Sequence, residues 1–335
     1  MSDIRFDVLA VGNAIVDVLA PATDEFLEKE GIPKDAMNLI DEDRARTLYA
    51  NMAPGTEASG GSAANTVAGI ASLGGRAAYV GKVAKDQLGD IFSHDIRAIG
   101  VHFDTPALEN GPATARCLIN VTPDAKRSMS TFLGAAALVT EKDVEASADA
   151  LRASQIVYLE GYLFDREDAK RGYVHAAELA AASGRKTALT LSDVFCVERH
   201  RDAFRHLVAN HIDILLANDA EILALYETDD FDLAISKVRK DVGVAAVTRG
   251  EQGAVIVRGD ETANIAAEPV DELVDTTGAG DLFAAGFLLG LARNKSLQEC
   301  GKMGAISASE IISHYGARPE CELKSLAEQS GISFE

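Results

Sequence analysis

Apolar residues crowd the opening segment FDVLAVGNAIVDVLA and break at Gly12 and Asn13, which predicts a buried strand near 6–11 and a second strand after the break. Residues 62–74 (SAANTVAGIASLG) set small side chains at helical spacing, RAAYVGKVA follows as a strand, and 86–99 reads as a helix with Asp86 in the capping position. From 112 to 134 polar and apolar residues alternate between breaks at Pro112, Pro123 and Asp124, which predicts exposed antiparallel strands. After 140 the chain alternates strand and helix. IVYLEG (156–161), KTALTL (186–191), IDILLAN (212–218), VAAVTRG (244–250) and GAVIVR (253–258) read as strands, and 280–293 with 296–313 as a helical pair. Such alternation implies an α/β fold, a mostly parallel sheet sandwiched by helices. The segments that leave this pattern, 14–49 and 104–134, are expected to form a small β-strand lid on a large domain made of 1–13, 50–103 and 135–335.

Composition narrows this picture. Hydrophobic residues make up 47% of the 335, aromatics 6%, and Trp is absent, so the core is built from Ala, Val, Leu and Ile. The four cysteines show no C-x-x-C pair and no zinc spacing, as expected of reduced thiols. No basic leader and no apolar run of about 18 residues is seen, so a cytoplasmic location without membrane contact is expected. Lys and Arg number 32 and Asp and Glu 52, which gives 32 − 52 = −20. A field this acidic repels nucleic acid and anionic membranes. A phosphate-bearing ligand must then be met by local devices, such as backbone amides and a metal ion.

One such device stands at Asp275-Thr276-Thr277-Gly278-Ala279-Gly280-Asp281, directly before an apolar helix. Small residues opening a helix leave free N–H groups at its positive end, which suits an anion without a cationic side chain. Taken alone, the run is equally a Gly-rich turn with an acid that favours the dipole. Gly60-Gly61-Ser62-Ala63-Ala64-Asn65 allows a bend before a helix, with Ser62 as a cap. Neither motif fits a P-loop or a dinucleotide fingerprint.

In type, order and separation the two motifs together resemble the signatures of the ribokinase-like (PfkB) family of carbohydrate and nucleoside kinases. Asn218-Asp219-Ala220-Glu221 resembles its N-x-x-E element, and Thr248-Arg249-Gly250 with Gly253 resembles its nucleotide loop. The adenosine kinase branch is resembled by Gly12-Asn13 with Asp17, Leu191-Ser192 with Phe195, Arg127-Ser128, Leu133-Gly134-Ala135-Ala136, and the tail with Gly316 and Pro319.

The resemblance implies an ATP- and Mg²⁺-dependent kinase for the 5′-hydroxyl of adenosine. Asp281 is then the base, with a pKa lowered by the helix N-terminus, and the amides of Gly278, Ala279 and Gly280 hold the transferring oxygens. Asp17 accepts from the ribose diol, with Asn13, Gly61 and Asn65 beside it, and Leu133 and Leu163 cover the base. Asn218, Thr248, Gly250 and Thr277 line the nucleotide groove, and Glu221 orders the water shell of Mg²⁺. A requirement for a monovalent cation stays open, as does the choice of monomer or homodimer. Alternatives are a sugar kinase of the same family, a kinase for another nucleoside, and a silent nucleoside-binding protein; the intact Asp281 and Gly-Ala-Gly argue against the last.

Overall fold

Strand residues alternate between two apolar layers. In chain order the strands are β1 (Phe6–Val11), β2 (Ile15–Pro21), β3 (Met37–Leu39), β4 (Thr56–Gly60), β5 (Ala77–Val80), β6 (Ala115–Val121) and β7 (Arg127–Phe132). They continue as β8 (Ser154–Glu160), β9 (Lys186–Thr190), β10 (Ile214–Asn218), β11 (Val244–Thr248), β12 (Ala254–Arg258) and β13 (Glu261–Ile265). The structure is a computed structural model that describes residues 3–124 and 126–334.

Among the described residues one sheet has eight strands in the order β13-β12-β11-β10-β9-β8-β1-β5. Pairings from β11 through β5 are parallel, and the β11-β12 and β12-β13 pairings are antiparallel. Val8 and Ala10 of β1 face one way, into a cluster with Val67, Ile70, Leu282, Phe287 and Met303 from helices Ser62–Ser72, Ala279–Ala292 and Leu297–Ile311. Leu9 and Val11 face the other way, towards Tyr173, Phe204, Leu225 and Val238 from helices Glu167–Ala182, Val194–His211, Asp219–Tyr226 and Phe231–Asp241. Each large apolar side chain so buried contributes about 1.5–3 kcal/mol. Covering both faces explains why these strands read as continuous apolar runs.

The second sheet has the order β3-β7-β6-β2-β4. Val18 of β2 and Leu118 of β6 are buried with Leu27 and Leu48 of helices Asp24–Glu30 and Glu42–Asn51. The opposite face, with Asp17, Cys117 and Ile119, looks into a cleft above the large sheet. Three features differ from the sequence reading. β6 and β7 do pair antiparallel, but they are largely buried, because helices cover one face and the cleft shelters the other. β4 comes from 50–103, the stretch given to the large unit, yet it pairs antiparallel with β2. Its sequence, TEASG, carries no apolar alternation, so only hydrogen bonding to β2 reveals it. β13 likewise was not anticipated; it closes a hairpin with β12.

Candidate active site

Parallel strands end together, so the residues that follow them share one rim, where ligands bind in open α/β sheets. Asn13 follows β1, Glu160 ends β8, Ser192 follows β9, Asn218 ends β10 and Thr248 ends β11. All five line one cavity of about 1060 Å³ between the rim and the small sheet. Asp17, Gly61, Asn65, Leu133, Glu221, Thr277, Gly278, Gly280 and Asp281 line it too.

The helix Ala279–Ala292 starts at Gly278, whose φ of 81° is left-handed and natural only to glycine. Asp275 shapes the turn before it. One carboxylate oxygen accepts from the Thr277 amide at 3.1 Å and hydroxyl at 2.8 Å. The other accepts from the Gly316 amide at 3.2 Å and pairs with Arg127 of β7 at 2.7 Å, with both side chains buried. The Ala279 amide is spent on the Thr276 carbonyl at 3.2 Å, and Ala279 does not line the cavity. Of the three amides read from the sequence, those of Gly278 and Gly280 engage no backbone acceptor among the described residues. A Cβ added to Gly280 would meet nothing within 4 Å, so the space above it is open to a ligand.

Asp281 lies in the first turn. Its Oδ1 accepts from Ser62 Oγ at 2.6 Å and its Oδ2 from Asn65 Nδ2 at 3.0 Å. Burial pushes its pKa up to about 6, against the lowering effect of Ser62, Asn65 and Arg318. This corrects the expectation of a pKa lowered by the helix end: loss of water on burial is the largest influence, and it raises the value. Ser62 is also not the helix cap; Gly61 occupies that position without a side-chain bond, and the Ser62 hydroxyl turns to Asp281.

Across the cavity, Asp17 stands on β2 with its carboxylate against Gly60, where a Cβ would come within 2.2 Å of Oδ2. Burial raises its pKa to about 6, opposed by Arg318 and Arg127. Gly61, at φ 97°, brings its Cα so close to the Asn13 carbonyl that a Cβ would lie 2.2 Å from it. Asn13 Nδ2 donates to Glu160 Oε1 at 2.7 Å, and the Ala63 amide donates to Glu160 Oε2 at 2.8 Å. Burial lifts Glu160 to about 7. The side-chain oxygens of Asn13 and Asn65 are buried without a partner, which marks both as acceptors for a ligand hydroxyl.

At the start of helix Asp219–Tyr226, Asn218 and Glu221 form a capping box. Asn218 Oδ1 accepts from the Glu221 amide at 2.8 Å, and Glu221 accepts from the Asn218 amide at 3.0 Å and from Nδ2 at 2.8 Å. Burial raises Glu221 to about 7. Among the described residues no group of three or more His, Cys, Asp or Glu side chains could hold a metal ion. The lone, tethered carboxylate of Glu221 fits contact through water rather than direct ligation.

Two residues read from the sequence lie elsewhere. Leu163 is buried in the core layer behind the sheet, 3% exposed, because the turn after β8 points Tyr162 into the cavity instead. Gly250 begins the turn after β11 and does not line the cavity. Ser62 as a partner of Asp281, Glu160 and Arg318 were missed. Glu160 did leave a signal, a lone acid closing an otherwise apolar buried strand. Ser192 adopts a φ of 71°, strained for a residue with a side chain, and its hydroxyl is buried without a partner; such strain gathers at functional sites.

The whole chain has relatives. The profile of the pfkB family carbohydrate kinases matches residues 15–324. The solved adenosine kinase from Sinorhizobium meliloti is 53% identical over 97% of this chain and 99% of its own, with a TM-score of 0.90. A solved probable sugar kinase from Rhizobium etli is 50% identical over 98% and 99%, with a TM-score of 0.91. The adenosine kinase of Saccharomyces cerevisiae is 28% identical over 92% of this chain and 95% of its own.

Proposed function

The chain belongs to the pfkB family of carbohydrate kinases, and from that membership we propose that it transfers the γ-phosphoryl group of ATP to the 5′-hydroxyl of adenosine, giving AMP and ADP. The observation that carries the choice of acceptor is an apolar shelf in the same cavity, which runs along the small sheet from Asp17 and is joined by Phe195 from helix Val194–His211. Phe195, Met37 and Leu39 line the cavity while 61%, 51% and 53% exposed, with Tyr162, Ile119 and Met129 beside them. A free sugar has no face to cover so much apolar surface, whereas a purine does, at about 25 cal/mol per Å² removed from water. The two relatives near half identity bear different acceptor names, so the shelf is what separates the readings here.

In this reading the Asp17 carboxylate accepts from both ribose hydroxyls, with the free Asn13 oxygen alongside. The 5′-hydroxyl then points at Asp281, which takes its proton as the oxygen attacks the γ-phosphorus in line and ADP leaves. Ser62 and Asn65 each donate to the Asp281 carboxylate, which holds it in place and favours its ionised form. The amides of Gly278 and Gly280 stabilise the charge that spreads over the phosphoryl oxygens. Glu221 would hold a Mg²⁺ ion through its water shell, and the ion would supply charge neutralisation for the ATP phosphates. Leu133 and the small sheet shield the reacting atoms from water.

The acceptor is tested by kcat/KM for adenosine, ribose and cytidine at fixed ATP and Mg²⁺. Adenosine should lead by at least about 10²-fold over ribose, the discrimination expected from burying a purine. If ribose equals or exceeds adenosine, the chain is a sugar kinase of the same family.

A further inference from the structure

Arg318, in the tail after helix Leu297–Ile311, makes no phosphate contact in the mechanism above, yet it reaches the centre of the acceptor side. Its Nε donates to the Ser59 carbonyl at 2.9 Å, its Nη2 to Ser59 Oγ at 3.1 Å and its Nη1 to the Ala64 carbonyl at 2.6 Å. Ser59 lies on β4 of the small sheet and Ala64 in the helix Ser62–Ser72 under the large one. Between them runs the Gly60-Gly61 step, which leads from the small sheet into the helix that supplies Ser62 and Asn65 to Asp281. We propose that Arg318 is a positioning residue, which staples this link and lends one positive charge to both Asp17 and Asp281.

The fork suits the task. Its three bonds go to neutral oxygens on both sides of the glycine step, so its charge is not consumed by a single carboxylate. That charge holds down the pKa of Asp17 and of Asp281 against burial. The groups that interact with Asp281 are Ser62 and Asn65 as donors, Arg318 as the cation, and the carboxylates Asp17 and Glu160 with the hydroxyls of Tyr158 and Tyr162, which sense its charge. Arg318 itself also feels Tyr79 and Asp95. The neighbouring residue extends the link to the phosphate side: a Cβ on Gly278 would lie 2.9 Å from Ala317 Cβ. One tail segment thus touches the amide turn with Ala317 and the acceptor link with Arg318. Ser59 pairs with Val16 of β2, so fixing it also fixes the strand that carries Asp17.

The inference rests on Asp281 as the base, and the test separates the two. Arg318→Met, Arg318→Lys and Asp281→Asn are compared by pH profiles of kcat/KM. Arg318→Met should lower kcat on the order of 10²-fold through misplacement and move the acid limb up by about one pH unit through loss of the cation. Arg318→Lys should restore the limb but not kcat, because a single ammonium cannot make the forked contacts. An unmoved limb in Arg318→Met, with Asp281→Asn still inactive, overturns this inference alone; an active Asp281→Asn overturns the base assignment first. Should Arg318→Met fail to fold, Arg318→Lys decides: wild-type kcat in that variant refutes the staple.

Discussion

On the acceptor side of the cavity three carboxylates, Asp17, Glu160 and Asp281, are drawn out of water and met by Asn13, Ser62, Asn65, the Ala63 amide and Arg318. On the phosphate side there is little of this. The turn at Gly278 and Gly280 offers backbone, Thr248 a hydroxyl, and Asn218 is occupied with Glu221. The difference follows from what each side must hold. A neutral ligand rich in hydroxyls is gripped by acceptors, and an acidic protein has those in surplus. A polyanion is repelled by the same surplus, so in the proposed reading it is received by amides at a helix end. On one side the side chains face the cavity, and on the other those of Asp275, Asn218 and Glu221 are spent on shaping the backbone.

The sharpest way to break this contrast is to remove the base. Asp281→Asn keeps a side chain of the same shape and should preserve the fold and ligand binding while lowering kcat on the order of 10²–10⁴-fold. Single-turnover kinetics with adenosine decide it; activity within a few-fold of wild type assigns the proton to another group.

A smaller effect is expected where the open space is filled. A Cβ at Gly280 meets nothing within 4 Å, so Gly280→Val should hardly change Tm, while ATP affinity drops on the order of 10²-fold and adenosine binding persists. Calorimetry with each ligand checks it. Equal loss for both ligands would mean that the two sides are not separable.

The mildest expected effect concerns pH. Asp281 must be ionised to accept a proton, so kcat/KM should fall as pH drops below about 6. Stability should move the other way. Asp17 and Asp281 titrate near 6 and Glu160 and Glu221 near 7, all above their ordinary range, so the folded state binds more protons than the unfolded one in that window. Their stabilising contribution is full below the unfolded pKa and is lost as pH rises through about 6–7. Tm should therefore rise by a few degrees from pH 8 to pH 5.5 while activity declines, about the shift expected for a stability change of one or two kcal/mol. Parallel decline of both would remove burial as the cause of the raised values.

Local rules made much of this molecule legible. Apolar runs bounded by turn residues marked the strands of the large sheet, and Asp86 was readable as a cap because its carboxylate needs only the amide three residues on. Gly278 and Gly61 were readable as necessities of backbone geometry. Legibility ended where a residue's role depends on a partner far along the chain. Ser62 looked like a cap, and its hydroxyl instead meets Asp281, 219 positions away. Leu163 looked like a wall for the base, and one turn of backbone sends it into the core and Tyr162 into the cavity.

The sequence by itself determined the α/β order, the acidic field and the two glycine-rich turns, because periodicity, net charge and left-handed backbone are properties of neighbours in the chain. Only the tertiary structure decided that β4 joins the small sheet, that Ala279 gives its amide to a turn, and that Arg318 bridges Ser59 and Ala64. It also decided the pKa of Asp281. The helix start is written locally, but the burial that raises the value to about 6 comes from elements that meet only when the chain has folded, and that loss of water is the largest influence on it.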